Sequence, residues 1–153
     1  MASNSEGKYS GEFILSEAEG SRSRENVTVL SGENLKAGHV IGRTLVSPTV
    51  GAATALGTNT GNGTVSAPTA GNGVQRGTYK VVEYDPADVS SGGRPYGILY
   101  GNVDASAADK PGVAIVRDAE VRAGDLTWFS GATTTQKETA QDLLAAAGLI
   151  VRA

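Results

Sequence analysis

The chain has 153 residues, a formal net charge of −3, 21 glycines, one histidine and no cysteine. That length fits one domain, with room for an arm, around a modest core. The 13 basic residues are scattered singly, which argues against nucleic acid as the main partner, and zero cysteines exclude a disulfide framework.

The first 26 residues form a polar stretch rich in Ser, Glu and Gly, with Glu6, Glu12, Glu17, Glu19 and Glu25 set against Lys8, Arg22 and Arg24. Alone, such a segment buries too little apolar surface to offset its ordering entropy. One β-prone island interrupts it: Tyr9, then Phe13, Ile14 and Leu15. The expectation is an extended arm over 1–26 that works as a tether. A first strand docked on its own domain is the alternative. The N-terminus shows no basic region followed by an apolar core, so no secretory signal is expected. No apolar run approaches a membrane span, and the expectation is a product that stays out of membranes.

From residue 27 the pattern becomes that of short strands. Val27 to Leu30 and His39 to Val46 read as strands around a Ser31-Gly32 turn. Residues 47–61 read as a loop or weak edge pairing. Asn62-Gly63 and Asn72-Gly73 are hairpin-type turns that bracket a short strand at Thr64 to Ala67. Thr78 to Tyr84 is a further strand, followed by turn material from Asp85 to Gly93. Tyr96 to Val103 and Val113 to Val116 follow as strands around a polar loop at 104–112. Two echoing turns, Lys36-Ala37-Gly38 and Arg122-Ala123-Gly124, each deliver the chain into an apolar strand, with Gly where a positive φ is needed.

The helix has the clearest local physics. Thr135 as cap and Glu138 three residues on make a capping box. Ala140, Leu143, Leu144 and Ala147 form one apolar face, and Gly148 stops the helix before a strand at Leu149 to Val151. So narrow a stripe requires the helix to lie on the sheet.

The chemistry is sparse. His39 stands at the head of a strand after a turn and reads as a surface or turn residue, not as the base of a Ser-His-Asp arrangement. Asp104 with Asp109, and Asp118 with Glu120, read as solvated charges because no Gly-centred calcium-loop spacing is present. The Gly-rich turns lack a following Lys-Ser/Thr, so no phosphate cradle is expected. Asn26-Val27-Thr28 and Asn62-Gly63-Thr64 match glycosylation acceptors but carry no weight without a secretion route. Trp128 reads as a core residue under the helix, while Tyr96 and Tyr100 share a face with Ile98 that is open between core and subunit contact. No cofactor, no metal and no enzyme activity are expected.

The last 60 residues carry a resemblance. The order Gly97-Ile98-Leu99, Val116-Arg117, Leu126-Thr127-Trp128, a polar helix and Ala147-Gly148-Leu149-Ile150-Val151 is similar to the body of the phage head decoration proteins, the family of the lambda head protein D. That resemblance implies a mainly β fold, β-clip-like or a small β-barrel with one short C-terminal helix, as a decoration domain over 27–153 behind the arm. It implies a homotrimer on the outer surface of the virion capsid that stabilises the expanded head against packaged DNA. It also implies an arm that orders against the major capsid protein, with Tyr9, Phe13, Ile14 and Leu15 adding a strand to it. Neither nucleic acid nor membrane is an expected partner. A phage tail or spike module, or a surface glycan-binding module without catalysis, is the alternative.

Overall fold

A computed structural model describes residues 7–46, 78–88 and 93–153. The expected loop and hairpin turns at 47–77 lie outside the described residues, as do residues 1–6 and 89–92. The chain is mainly β. In order it forms β1 (Ile14–Glu17), β2 (Arg24–Val29), β3 (Asn34–Leu35), β4 (Val40–Val46), β5 (Thr78–Glu83) and β6 (Pro95–Leu99). These are followed by β7 (Val103–Asp104), β8 (Lys110–Ile115), β9 (Ala119–Arg122), a 3-10 turn at Ala123–Asp125, α1 (Thr134–Ala146) and β10 (Leu149–Arg152).

Five strands close a small barrel in the order β2-β5-β4-β6-β8. A separate three-stranded sheet has the order β1-β9-β10, with β1 antiparallel and β10 parallel to β9. Helix α1 is the crossover between β9 and β10 and packs on β10 and β6.

The barrel wall has apolar residues on both sides. Inside it, Val29, Ile41, Val81, Leu99, Ala114 and Val116 form one buried cluster. Outside it, Val40, Ile98 and Ile115 join Phe13, Val121, Leu126, Ala140, Leu144 and Leu149 in a second cluster under α1. Successive strand residues point to opposite faces, so the doublets Val40-Ile41, Ile98-Leu99 and Ala114-Ile115 each feed both clusters. Gly97 is required where β6 crosses β8, because a Cβ there would stand 2.4 Å from the Ile115 carbonyl oxygen.

The leading segment is extended and is laid against this body. Phe13 is 1% exposed within the outer cluster, and its carbonyl accepts from the Arg122 N–H at 2.8 Å. In the described residues the first strand therefore docks on its own domain, and the expected division at residue 26 passes through β2. An aromatic side chain this size gains about 1.5–3 kcal/mol from full burial, enough to hold a short polar segment in place.

Several local expectations shift. The N-cap of α1 is Thr133, with Gln136 completing the capping box, instead of Thr135 with Glu138. Both pairs have the same spacing, and the earlier one gains an additional half-turn of helix. Ala140 and Leu144 are buried as expected, but Ala147 is exposed at the helix end. Leu126 to Phe129 is not a strand: the 3-10 turn redirects the chain, and Thr127 keeps only an isolated bridge to His39. The strand expected over Tyr96 to Val103 is split into β6 and β7, and β8 starts at Lys110 within the expected loop. Gly38 has the expected positive φ of 84°, with Asp125 O 2.6 Å from where a Cβ would sit, whereas Gly124 lies in the 3-10 turn and does not need one.

Phe13→Ala should cost about 3–5 kcal/mol of unfolding free energy, while Leu15→Ala two residues away should stay within about 0.5 kcal/mol of wild type. Chemical denaturation of both variants checks this contrast.

Candidate functional site: the leading strand and its exposed edge

Two turns position the leading strand. The Tyr9 N–H donates to the Glu12 carboxylate at 3.0 Å, and Ile14 N–H donates to the Gly11 carbonyl at 3.0 Å. Gly11 sits at φ +75° with its N–H on the Tyr100 carbonyl, and a Cβ there would meet the Tyr100 ring at 2.7 Å. Glycine is what permits this approach. Upstream, the Lys8 ammonium donates to the Asp125 carbonyl at 2.6 Å and to the Thr127 hydroxyl at 3.2 Å.

Downstream, Glu17 accepts from the Arg24 guanidinium and from the Ser23 hydroxyl. Arg24 also stacks over the Tyr100 ring, 4.5 Å from its centroid. The Arg24 guanidinium holds the Glu17 carboxyl below its usual range against a smaller opposing effect of burial. Tyr100 is thus contacted by Gly11 of the leading segment and by Arg24 of β2.

Of the four residues expected to contact a shell, the structure separates two pairs. Phe13 is buried and Ile14 is half-buried against the core, paired with Val121. Tyr9 is 62% exposed and Leu15 is 45% exposed. Leu15 stands at the register shift between Ile14 and Ser16, a bulge that turns its side chain away from the core. Strand β1 is the edge of its sheet, so one row of its backbone groups faces away from β9. An edge strand with an exposed leucine and a tyrosine nearby has the chemistry for pairing with another extended chain.

The other candidate groups are occupied structurally. His39 Nδ1 lies 3.0 Å from the Lys36 carbonyl, and its Nε2 lies 3.7 Å from Glu83. Burial pushes the imidazole down and pushes the Glu33 and Glu83 carboxyls up. Asp104 caps Ser106 and Asp109 pairs with Lys80, so these two carboxylates serve separate partners. Asp118 leaves the strand for a turn at φ +50° beside Arg22, while Glu120 on β9 pairs with Arg152 and Ser16. These two carboxylates also serve separate partners. Among the described residues no group of three His, Asp or Glu could hold a metal ion. Trp128 is half-buried against the outer cluster, edge-to-face with Tyr84 at 6.4 Å. Tyr100 packs with the outer cluster but Tyr96 packs with the barrel interior. The register skips Tyr96 between Gly97 and Pro95, and that bulge places it on the opposite side from Ile98.

The residues that reasoning from sequence missed are Gly11, Tyr100, Glu17 and Arg24. In the sequence Tyr100 reads only as a core or subunit contact and Glu17 and Arg24 only as charges either side of a Gly-Ser turn, with nothing that joins them to Gly11.

A family model described as Bacteriophage lambda head decoration protein D matches residues 4–149. No curated protein and no solved structure matches the chain.

The Glu17–Arg24 pair yields a pH signature. With its folded pKa depressed, Glu17 contributes stability that is fully present above the ordinary value of 4.5 and is lost as pH falls through the folded value. Glu17→Gln should therefore cost about 1 kcal/mol at pH 7, a figure held down by partial exposure, and almost nothing near pH 2. Urea unfolding at the two pH values measures the difference.

Proposed function

Because the chain belongs to the bacteriophage lambda head decoration protein D family, we propose that it caps the expanded head as a trimer that adds strands to the major capsid protein. Members of this family are structural proteins of the virion, carried on the capsid surface, and capsid decoration is the function of this chain. The trimer, the strand addition, the stabilisation against packaged DNA and the absence of catalysis, nucleic acid and membrane from its work are our reading.

The single observation behind the mode of attachment is the edge position of β1, with Leu15 exposed on it and Tyr9 exposed in the segment that leads into it. Phe13 serves as the anchor that keeps this edge presented, and Ile14 backs it. A capsid segment pairing with β1 gains backbone hydrogen bonds from a strand that is already extended, so less ordering entropy opposes binding than with a free tail. One four-residue strand pairs weakly. Three such edges on one rigid trimer raise the effective concentration of the second and third contacts, which turns weak pairing into stable attachment. The tail or spike alternative has no comparable support, since the family match concerns heads.

The test is uptake of purified protein by expanded, undecorated capsids, read as bound mass against protein concentration. Wild type should saturate in multiples of three copies. Leu15→Asp should keep the wild-type melting temperature within about 2 °C and weaken uptake at least tenfold. Saturation at unchanged affinity by this variant would overturn the strand-edge reading. Removing residues 1–20 is a poor probe, because it takes Phe13 out of the core.

A further inference from the structure

One end of the barrel holds a group of side chains for which decoration by β1 has no use. Rows that face the barrel interior continue outward past the buried cluster: Val29 and Val27 lead to Glu25, Ile41 leads to Arg43, and Val81 leads to Tyr79. All three rows end at the same end of the barrel, where the bulged Tyr96 joins them. Together they line a cavity of about 120 Å3. Barrel mouths are common places for ligand contacts.

Arg43 is the centre of this group. Its guanidinium carbon lies 3.6 Å from the Tyr79 ring centroid and 5.1 Å from that of Tyr96. Arg43 stands opposite Val81 in the β4–β5 register, so Tyr79 is its diagonal neighbour and within reach of a long side chain. Stacking fixes the plane of the guanidinium without using its N–H donors. None of the ion pairs among the described residues includes Arg43. Glu25, the nearby acid, is taken by Arg117 at 2.8 Å and by the Tyr96 hydroxyl.

In the sequence, residues 47–77 and 89–92 contain no Asp or Glu. A second groove, lined by Arg117 and Pro95 and sharing Arg43 and Tyr96, continues from the first. Two arginines and two tyrosines thus meet at one mouth of a chain whose overall charge is negative. Arginine and tyrosine are the residues that dominate binding energy where proteins meet.

We propose that the barrel mouth is a second docking site, in which Arg43, stacked between Tyr79 and Tyr96, takes an aspartate or glutamate side chain of a partner protein. The planar fork offers two parallel N–H donors to one carboxylate, and the tyrosine rings shield that contact from water. Tyr79, 49% exposed, covers the aliphatic part of the incoming side chain. This site uses β2, β4, β5 and β6 and is independent of the β1 edge.

The test uses the full-length protein and a blocked pentapeptide, acetyl-Gly-Asp-Gly-Glu-Gly-amide, with its Asn/Gln counterpart, inorganic phosphate and glucuronate as comparison probes. Titrations are followed by NMR at the Arg43 Nε–H and the Tyr79 and Tyr96 rings. The acidic peptide should shift all three groups saturably with a dissociation constant of about 1–10 mM, and the amide peptide should bind at least tenfold more weakly. Arg43→Lys, which keeps the charge but loses the fork, should lose at least tenfold in affinity with an unchanged melting temperature, and Tyr79→Phe should retain binding. Equal shifts from both peptides, or none from the acidic one, would overturn the proposal. Tighter binding of phosphate or glucuronate than of the peptide would overturn it too, by making the site one for free anions or sugar acids. The readout needs no capsid, so failure here and failure of strand addition at β1 are distinguishable.

Discussion

The burial of Phe13 is the contact on which the rest of the architecture depends. It ties a segment too polar to fold alone to a body that would otherwise present an open apolar surface beside Val121, Leu144 and Leu149. Once the ring is seated, the backbone on either side is determined: Arg122 donates to the Phe13 carbonyl, and β1 aligns with β9. The same seat leaves β1 as the edge strand of its sheet. A single aromatic contact thus lays an edge strand against the body as one surface.

The barrel supplies the rigidity behind that surface. A five-stranded barrel is narrow, and its interior is filled by small and branched side chains such as Val29, Ile41 and Ala114. Its wall strands are apolar on both sides, because α1 and the β1-β9-β10 sheet cover one flank. That double use explains why apolar doublets replace simple alternation in β4, β6 and β8. It also explains the bare backbone at Gly97, where two strands approach more closely than any side chain allows.

Charge in this protein mostly closes on itself. Glu17 with Arg24, Glu25 with Arg117, Lys80 with Asp109 and Glu120 with Arg152 are satisfied pairs. They leave the described surface with few groups prepared for an outside ligand, which suits a structural protein of the capsid surface. The two exceptions differ in kind. At β1 an edge strand carries an exposed leucine, and at the barrel mouth Arg43 is stacked on Tyr79 with no ion pair among the described residues.

Local chemistry alone settles a good part of this molecule. The strands β4 and β5, the helix with its buried Ala140 and Leu144, the Gly148 stop and the returning β10 are legible from propensity, periodicity and turn residues, which act within a few positions of the chain. The order of the C-terminal parts is enough to point to the family. Other features depend on partners far away in sequence, and only the assembled fold decides them. Thr133 and Thr135 offer equal caps until packing sets the helix start. Leu126 to Phe129 has the composition of a strand but no partner strand beyond one bridge to His39. Tyr96 and Tyr100 share a face in any regular strand, and one skipped residue in the register sends them to different cores. Phe13 and Leu15 are both apolar and only two residues apart, yet one is buried and the other faces out. That choice rests on Tyr100, Val121 and Leu149, residues more than 80 positions away that only the folded chain brings near.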